Sequence, residues 1–316
     1  MNIALLLDPS PFEIWVAVRS DLLKGSGTLN DPYDGSSQIK FDGIIGSLAV
    51  GSVVHLGPGT FQTGGYNGTS GWEIKAKVKI HGSGYDVTKL QIVSPASGAL
   101  TVAIGHNLLN RADFCEITDL TIDRALPGTG TPACGAISVA GSHIRIQRVH
   151  AINFGTLSTS VRCVVISAGG ARPNSTPTPT NTDYVDCVIE DCMLDTLAQT
   201  SVRETTCLEI GAAENPSTGE IWSNRHCVIR NCYLNCIFTS NVYPTSQFQG
   251  LSLKGCIGGV VEGNKILNCT IGGPYLDSFS NTDVIVRQNN YYNVVNGAWW
   301  NLGNWSSGGG SSSLAP

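Results

Sequence analysis

The chain has 316 residues, 14% of them charged, and a formal net charge of −5. Such a charge-poor, mildly acidic chain lacks the basic footprint of a nucleic-acid binder, and no apolar run approaches the ~20 residues that a membrane-spanning helix needs. Gly, Ser, Thr and Asn take the place of the missing charges, and the length admits one large domain or two smaller ones.

The chain opens on a leading segment. Ile3 to Leu7 is apolar but short, with no Lys or Arg before it. That is poor for a secretory signal and better for an edge strand; Phe12 to Val18 reads as another. Gly25 to Gly35, Gly-Ser-Gly-Thr-Leu-Asn-Asp-Pro-Tyr-Asp-Gly, is loop chemistry. From Ser37 to Leu48 the apolar residues Ile39, Phe41, Ile44, Ile45 and Leu48 recur at helical spacing, and Ser36 or Ser37 can cap the helix.

A phrase then repeats. Cys115 to Asp123 reads Cys-Glu-Ile-Thr-Asp-Leu-Thr-Ile-Asp, Cys187 to Asp195 reads Cys-Val-Ile-Glu-Asp-Cys-Met-Leu-Asp, and Cys227 to Asn235 reads Cys-Val-Ile-Arg-Asn-Cys-Tyr-Leu-Asn. Looser copies run Ile144–Asn153, Gly259–Asn268 and Val284–Asn293. With the aliphatic residue before the polar bend as anchor, the anchors are Ile117, Ile146, Ile189, Ile229, Val261 and Val286, with earlier candidates at Leu56 and Ile80. Successive spacings are 24, 37, 29, 43, 40, 32 and 25 residues, the variable period of a solenoid. A second phrase precedes the copies: Ala136-Ile-Ser-Val-Ala-Gly141, Cys163-Val-Val-Ile-Ser-Ala-Gly169, Cys207-Leu-Glu-Ile-Gly211 and Gly250-Leu-Ser-Leu-Lys-Gly255. Alternation ending at Gly marks a half-buried strand and a turn. One coil is therefore strand, loop, strand, polar bend, strand and loop, the rung of a parallel β-helix. The helix of Ser37 to Leu48 then plugs the open N-terminal end, which would otherwise expose apolar core and strand edges.

Gly51 to Phe61, Gly-Ser-Val-Val-His-Leu-Gly-Pro-Gly-Thr-Phe, and Val78 to Leu90, Val-Lys-Ile-His-Gly-Ser-Gly-Tyr-Asp-Val-Thr-Lys-Leu, are similar to the first rungs of a known group of solenoids. With the repeats, which run roughly from Val53 to Asn301, the chain resembles the pectate-lyase-like superfamily. The resemblance implies an all-β fold: a single-stranded right-handed parallel β-helix with an N-terminal capping helix. The expected division is a leading segment and cap over 1–50, the β-helix over 51–305, and a Gly/Ser-rich linker or tail over 306–316. It also implies stacked polar residues at the bend, here Asp119, Asp191, Asn231, Asn264 and Asn289, and an active face on the outside of the strand before the long first loop. Motifs of the superfamily's galacturonan hydrolases are absent, apart from an Asn281-Thr282-Asp283 that falls before the wrong strand. No aspartate cluster of the kind that holds calcium in pectate lyases is visible, so no cofactor is expected, with calcium the one candidate ion.

Registering the rungs orders the side chains. Of eleven cysteines, Cys115, Cys187 and Cys227 fall two before the anchor, Cys192 and Cys232 three after it, and Cys163 and Cys207 match on the first strand. Stacked core thiols and inter-rung disulfides both fit this spacing. An odd count of buried thiols points to folding in a reducing compartment. Glu190, Arg230, Glu262 and Arg287, one after each anchor, alternate in sign as an outward ladder. On the first strand, taking Ile137, Val164, Leu208, Leu251 and Leu276 as inward gives Ser138, Val165, Glu209, Ser252 and Asp277 as an outward row, with Lys254 nearby. Long loops on both sides of this strand make a groove. Glu209 and Asp277 are then candidate catalytic carboxylates, with Lys254 as a cation beside them. Trp222, Trp299 and Trp300 are candidate sugar-binding residues, although Trp299 and Trp300 read better as a cap over the last rung. His150 is expected to face outward.

Two functions follow as expectations. One is a carbohydrate-directed surface or virion protein that binds a polysaccharide in its groove and, if it is an enzyme, is a lyase or glycoside hydrolase. The other is a non-catalytic structural or adhesive component of a fibre, tail or surface assembly. Either implies an extracellular, cell-surface or virion location and a homo-oligomer or larger assembly. Neither implies a nucleic-acid partner or membrane insertion.

Overall fold

Ile14, Val54, Ile80, Ile117, Ile146, Ile189, Ile229, Val261 and Val286 stand side by side in one row of parallel strands. The computed structural model describes residues 13–21, 23–66, 71–93, 101–105, 111–124, 134–154, 163–169, 183–198, 205–211, 213–214, 221–238, 248–253, 255–269, 275–276, 283–294 and 300–301. The row confirms the anchors from Ile80 onward. The earlier anchor is Val54, not Leu56: both face inward, and a period of two cannot tell them apart.

Three parallel sheets wrap the core. The first runs through Tyr33–Asp34, Glu13–Ala17, Val53–Leu56, Lys79–His81, Glu116–Asp123, Arg145–Phe154, Val188–Glu190, Val228–Arg230, Val260–Glu262 and Ile285–Arg287. It bends into Met193–Ala198, Tyr233–Phe238, Lys265–Leu267 and Asn290–Tyr292. The second runs Thr101–Gly105, Cys134–Ala140, Cys163–Gly169, Thr205–Gly211, Phe248–Leu253, Tyr275–Leu276 and Trp300–Asn301. The third, Tyr184–Val185, Asn224–Arg225 and Cys256–Ile257, was not expected, because two-residue strands carry no periodicity. Crossovers between parallel strands are right-handed for reasons of strand twist. The chain is a single-stranded parallel β-helix, the fold its resemblance implied.

Backbone chirality sets the corners. Three residues before the anchors φ is positive at Lys77, Phe114, His143, Asp186, His226, Gly258 and Asp283; two residues after them it is positive at Asp119, Arg148, Asp191, Asn231, Gly263 and Gln288. Each anchor strand from Ile117 onward thus runs between two left-handed residues, and Asp, Asn and Gly tolerate that conformation best. Neighbouring rungs reinforce the bends. Phe114 stacks on His143 with centroids 4.4 Å apart, and Arg148 grips Asp119 through two bonds of 2.5 and 2.7 Å.

The helix spans Gln38–Gly46. Phe41 and Ile45 are buried in the core, and Phe41 meets Phe61 at 5.4 Å between ring centroids. Ile39 turns out to be 86% exposed, so that part of the expected apolar stripe faces solvent. Ser37 occupies the N-cap with extended backbone and makes no side-chain cap bond. The leading segment is woven into the solenoid, since Glu13–Ala17 lies between Tyr33–Asp34 and Val53–Leu56. Residues 1–12 and 302–316 lie outside the described ones, so the strand expected at Ile3 to Leu7 and the tail do too.

Candidate functional site

The expected row on the second sheet shifts by two residues. Ile166, not Val164, aligns with Leu208, and Tyr275 lies beside Ser252. The row is Ser138, Ser167, Glu209, Ser252 and Tyr275. Leu276 pairs with Leu253 rather than Leu251, so the place expected for Asp277 beside Ser252 is taken by Tyr275. Lys254, Asp277 and Trp299 lie outside the described residues; Trp222 and Trp300 are strand residues whose side chains are likewise outside them. Glu209 is only 4% exposed, and its row neighbours Ser167 and Ser252 are buried beside it. Glu209 is thus buried, where a carboxylate open to a groove was expected.

The charge ladder on the first sheet is as expected. Arg230 donates to Glu190 at 2.7 and 2.5 Å, and Arg287 to Glu262 at 2.7 Å. Arg145, unforeseen, holds Glu190 from the other side at 2.5 Å. Glu190 is 2% exposed, and burial pushes its carboxyl up, but the two guanidiniums outweigh burial and hold it below its ordinary value. The carboxylates of the ladder are thus engaged by neighbouring arginines.

The open surface lies after the bend. Four residues past the anchors from Ile117 onward the outward row is Thr121, His150, Met193, Tyr233, Lys265 and Asn290; six past, it is Asp123, Ile152, Asp195, Asn235, Leu267 and Tyr292, and Lys89 and Gln91 of the preceding rung pair with Thr121 and Asp123. His150 faces outward as expected. Its Nε2 lies 3.2 Å from Asp195, and Tyr85 meets its ring edge-on at 6.3 Å. From Asp195 a chain of side chains runs along the solenoid axis. Asn235 donates to Asp195 at 3.2 Å, Asn268 to Asn235 at 2.8 Å, and Asn293 to Asn268 at 2.8 Å. The His150 bond lowers the Asp195 carboxyl below its ordinary value, against burial, with Asn235 adding to the effect. Beside this column Lys265 Nζ lies over the Tyr233 and Tyr292 rings, 5.4 and 5.5 Å from their centroids. Tyr292 is 53% exposed, and Lys265, Asn290 and Asn293 are exposed. Counting four and six residues past each anchor would have found this strip from the sequence.

Among the described residues no group of three or more His, Cys, Asp or Glu is arranged to hold a metal ion. No described helix is long and apolar enough to cross a membrane.

No protein-family model matches the chain, and no curated protein sequence does. Among solved structures it is similar to two A-modules of mannuronan C-5 epimerases from Azotobacter vinelandii. That of AlgE6 is 12% identical, matched over 84% of this chain and 75% of that one with a TM-score of 0.38. That of AlgE4 is 12% identical, matched over 81% of this chain and 90% of that one with a TM-score of 0.23. At such scores the likeness says nothing of activity.

Proposed function

We propose that this chain is a carbohydrate-directed protein that holds a polysaccharide along the outer strip after the bend. The observation that carries the reading is the pairing of two tyrosines, Tyr233 half-buried and Tyr292 exposed, with an axial column of amides, Asn235, Asn268 and Asn293. Aromatic rings accept the apolar face of a sugar while their hydroxyls stay wet, and amides both donate to and accept from sugar hydroxyls. Three successive rungs each bring one amide, and Tyr233 and Tyr292 stand on the two outer of these rungs, an arrangement that suits a repeating chain laid along the axis. Burial of Glu209 favours binding without cleavage at that residue, as an adhesive or structural component of an assembly would bind.

Affinity electrophoresis through gels containing neutral or acidic polysaccharides tests this, with reducing ends and unsaturated ends measured in parallel. The wild type should be retarded, and a Tyr233→Ala, Tyr292→Ala double variant should migrate freely with an unchanged melting temperature. Retardation of the double variant equal to wild type would exclude the strip. Product formation abolished by Glu209→Gln would restore the catalytic reading.

A further inference from the structure

We infer that the strip is built for a neutral, hydroxyl-bearing sugar chain rather than an anionic one; the inference rests on the reading that the strip holds a polysaccharide. The charges of the strip are largely engaged. Lys89 pairs with Asp123 at 3.1 Å, His150 with Asp195 at 3.2 Å, and the Lys265 ammonium is held over two ring faces. The chain as a whole carries −5, which repels a polyanion.

The amide column has a direction, and Asp195 sets it. An ionised carboxylate only accepts, so Asn235 turns its NH₂ toward Asp195 and its carbonyl toward Asn268, and the same sense passes on to Asn293. A side-chain amide has two N–H donors and two carbonyl lone pairs. Asn268 uses one donor on Asn235 and one lone pair on Asn293, which leaves one of each. Asn293, exposed at the end of the column, uses one donor on Asn268. Neighbouring sugar hydroxyls answer one donor and one acceptor. A carboxylate or sulfate can satisfy only the donors and would face the amide carbonyls unfavourably.

The test uses the full chain, with dextran, laminarin and a galactomannan as neutral probes and polygalacturonate and alginate as acidic ones. Binding is measured at about 0.01 M and about 0.1 M salt, across which the screening length shortens from about 30 to about 10 Å. At least one neutral probe should bind with an affinity that salt leaves unchanged. The Asn268→Ala, Asn293→Ala double variant should weaken it about tenfold, or about 1.4 kcal/mol, and Lys265→Met should change it less than about threefold. Far-ultraviolet circular dichroism confirms that each variant is folded. Tighter binding of an acidic probe, lost with salt and with Lys265→Met, overturns this inference and leaves the polysaccharide reading intact. Neutral binding indifferent to the amide variant overturns it as well. Binding of no probe overturns both.

Discussion

The side-chain carbonyl of Asn289 accepts two bonds from Asn264, one from its backbone N–H at 3.0 Å and one from its side-chain amide at 2.9 Å. Asn264 is fully buried; its own carbonyl accepts from the Cys232 backbone at 2.9 Å, and its amide also donates to the Ile229 carbonyl at 3.2 Å. Asn289 in turn donates to the Val261 carbonyl at 3.0 Å. The inner asparagines thus satisfy backbone groups at a bend, where strand pairing cannot reach. Asn264→Ala strips the Cys232 N–H and the Ile229 carbonyl of these partners and should cost about 2–4 kcal/mol. The expected result is a lower urea midpoint at unchanged slope; a midpoint equal to wild type would contradict it.

Glu190 offers a second prediction. Its carboxylate is enclosed by Arg145 and Arg230, whose side chains are themselves about half exposed and can turn to water when it is lost. Glu190→Gln should therefore destabilise by about 1–3 kcal/mol, less than stranding a buried charge. The folded carboxyl titrates below its ordinary value, chiefly because the two arginines overcome burial. Its contribution is present above the unfolded value, near ~4.3, and is lost as pH falls through the folded one. Stability of the wild type should drop more steeply below about pH 4 than that of the variant. Parallel acid curves would rule out this role.

The thiols give a third. Cys115, Cys187, Cys192, Cys207, Cys227, Cys232, Cys256 and Cys269 are free and buried. Cys256 places its sulfur within 2.5 Å of where a Cβ on Gly259 would stand, so it fills the slot that Gly259 leaves beside Cys227 in the column of Cys187 and Cys227. The thiolate is the reactive species. Burial pushes the Cys115 thiol up to about 12 and, with Cys192 beside it, Cys232 well above its ordinary value. These thiols should ignore a thiol reagent in the native protein and react in denaturant without reductant. Disulfides among them, seen by mass, would contradict the structure.

What the sequence disclosed and what it concealed have one cause. Ile117 to Val286 could be aligned because each anchor is followed two residues on by a left-handed residue, polar in every copy but the one with Gly263. The charge ladder followed from the same count. Leu56 against Val54, and Val164 against Ile166, differ by one full period of a strand, so only pairing across rungs decides between them. Glu209 is buried although alternation places it on the side opposite Leu208, and alternation within one strand does not encode which positions end up exposed. The strip of Tyr233, Lys265 and Tyr292 follows from the same repeat, but the resemblance points to the strand before the loops instead.

Where the sugar lies decides the proposed function. A crystal structure of the chain with an oligosaccharide cut from a polysaccharide that binds it should show sugar rings against Tyr233 and Tyr292 and hydroxyls on Asn268 and Asn293. Sugar bound over Glu209 and Ser252 instead, with the tyrosine strip bare, would contradict it.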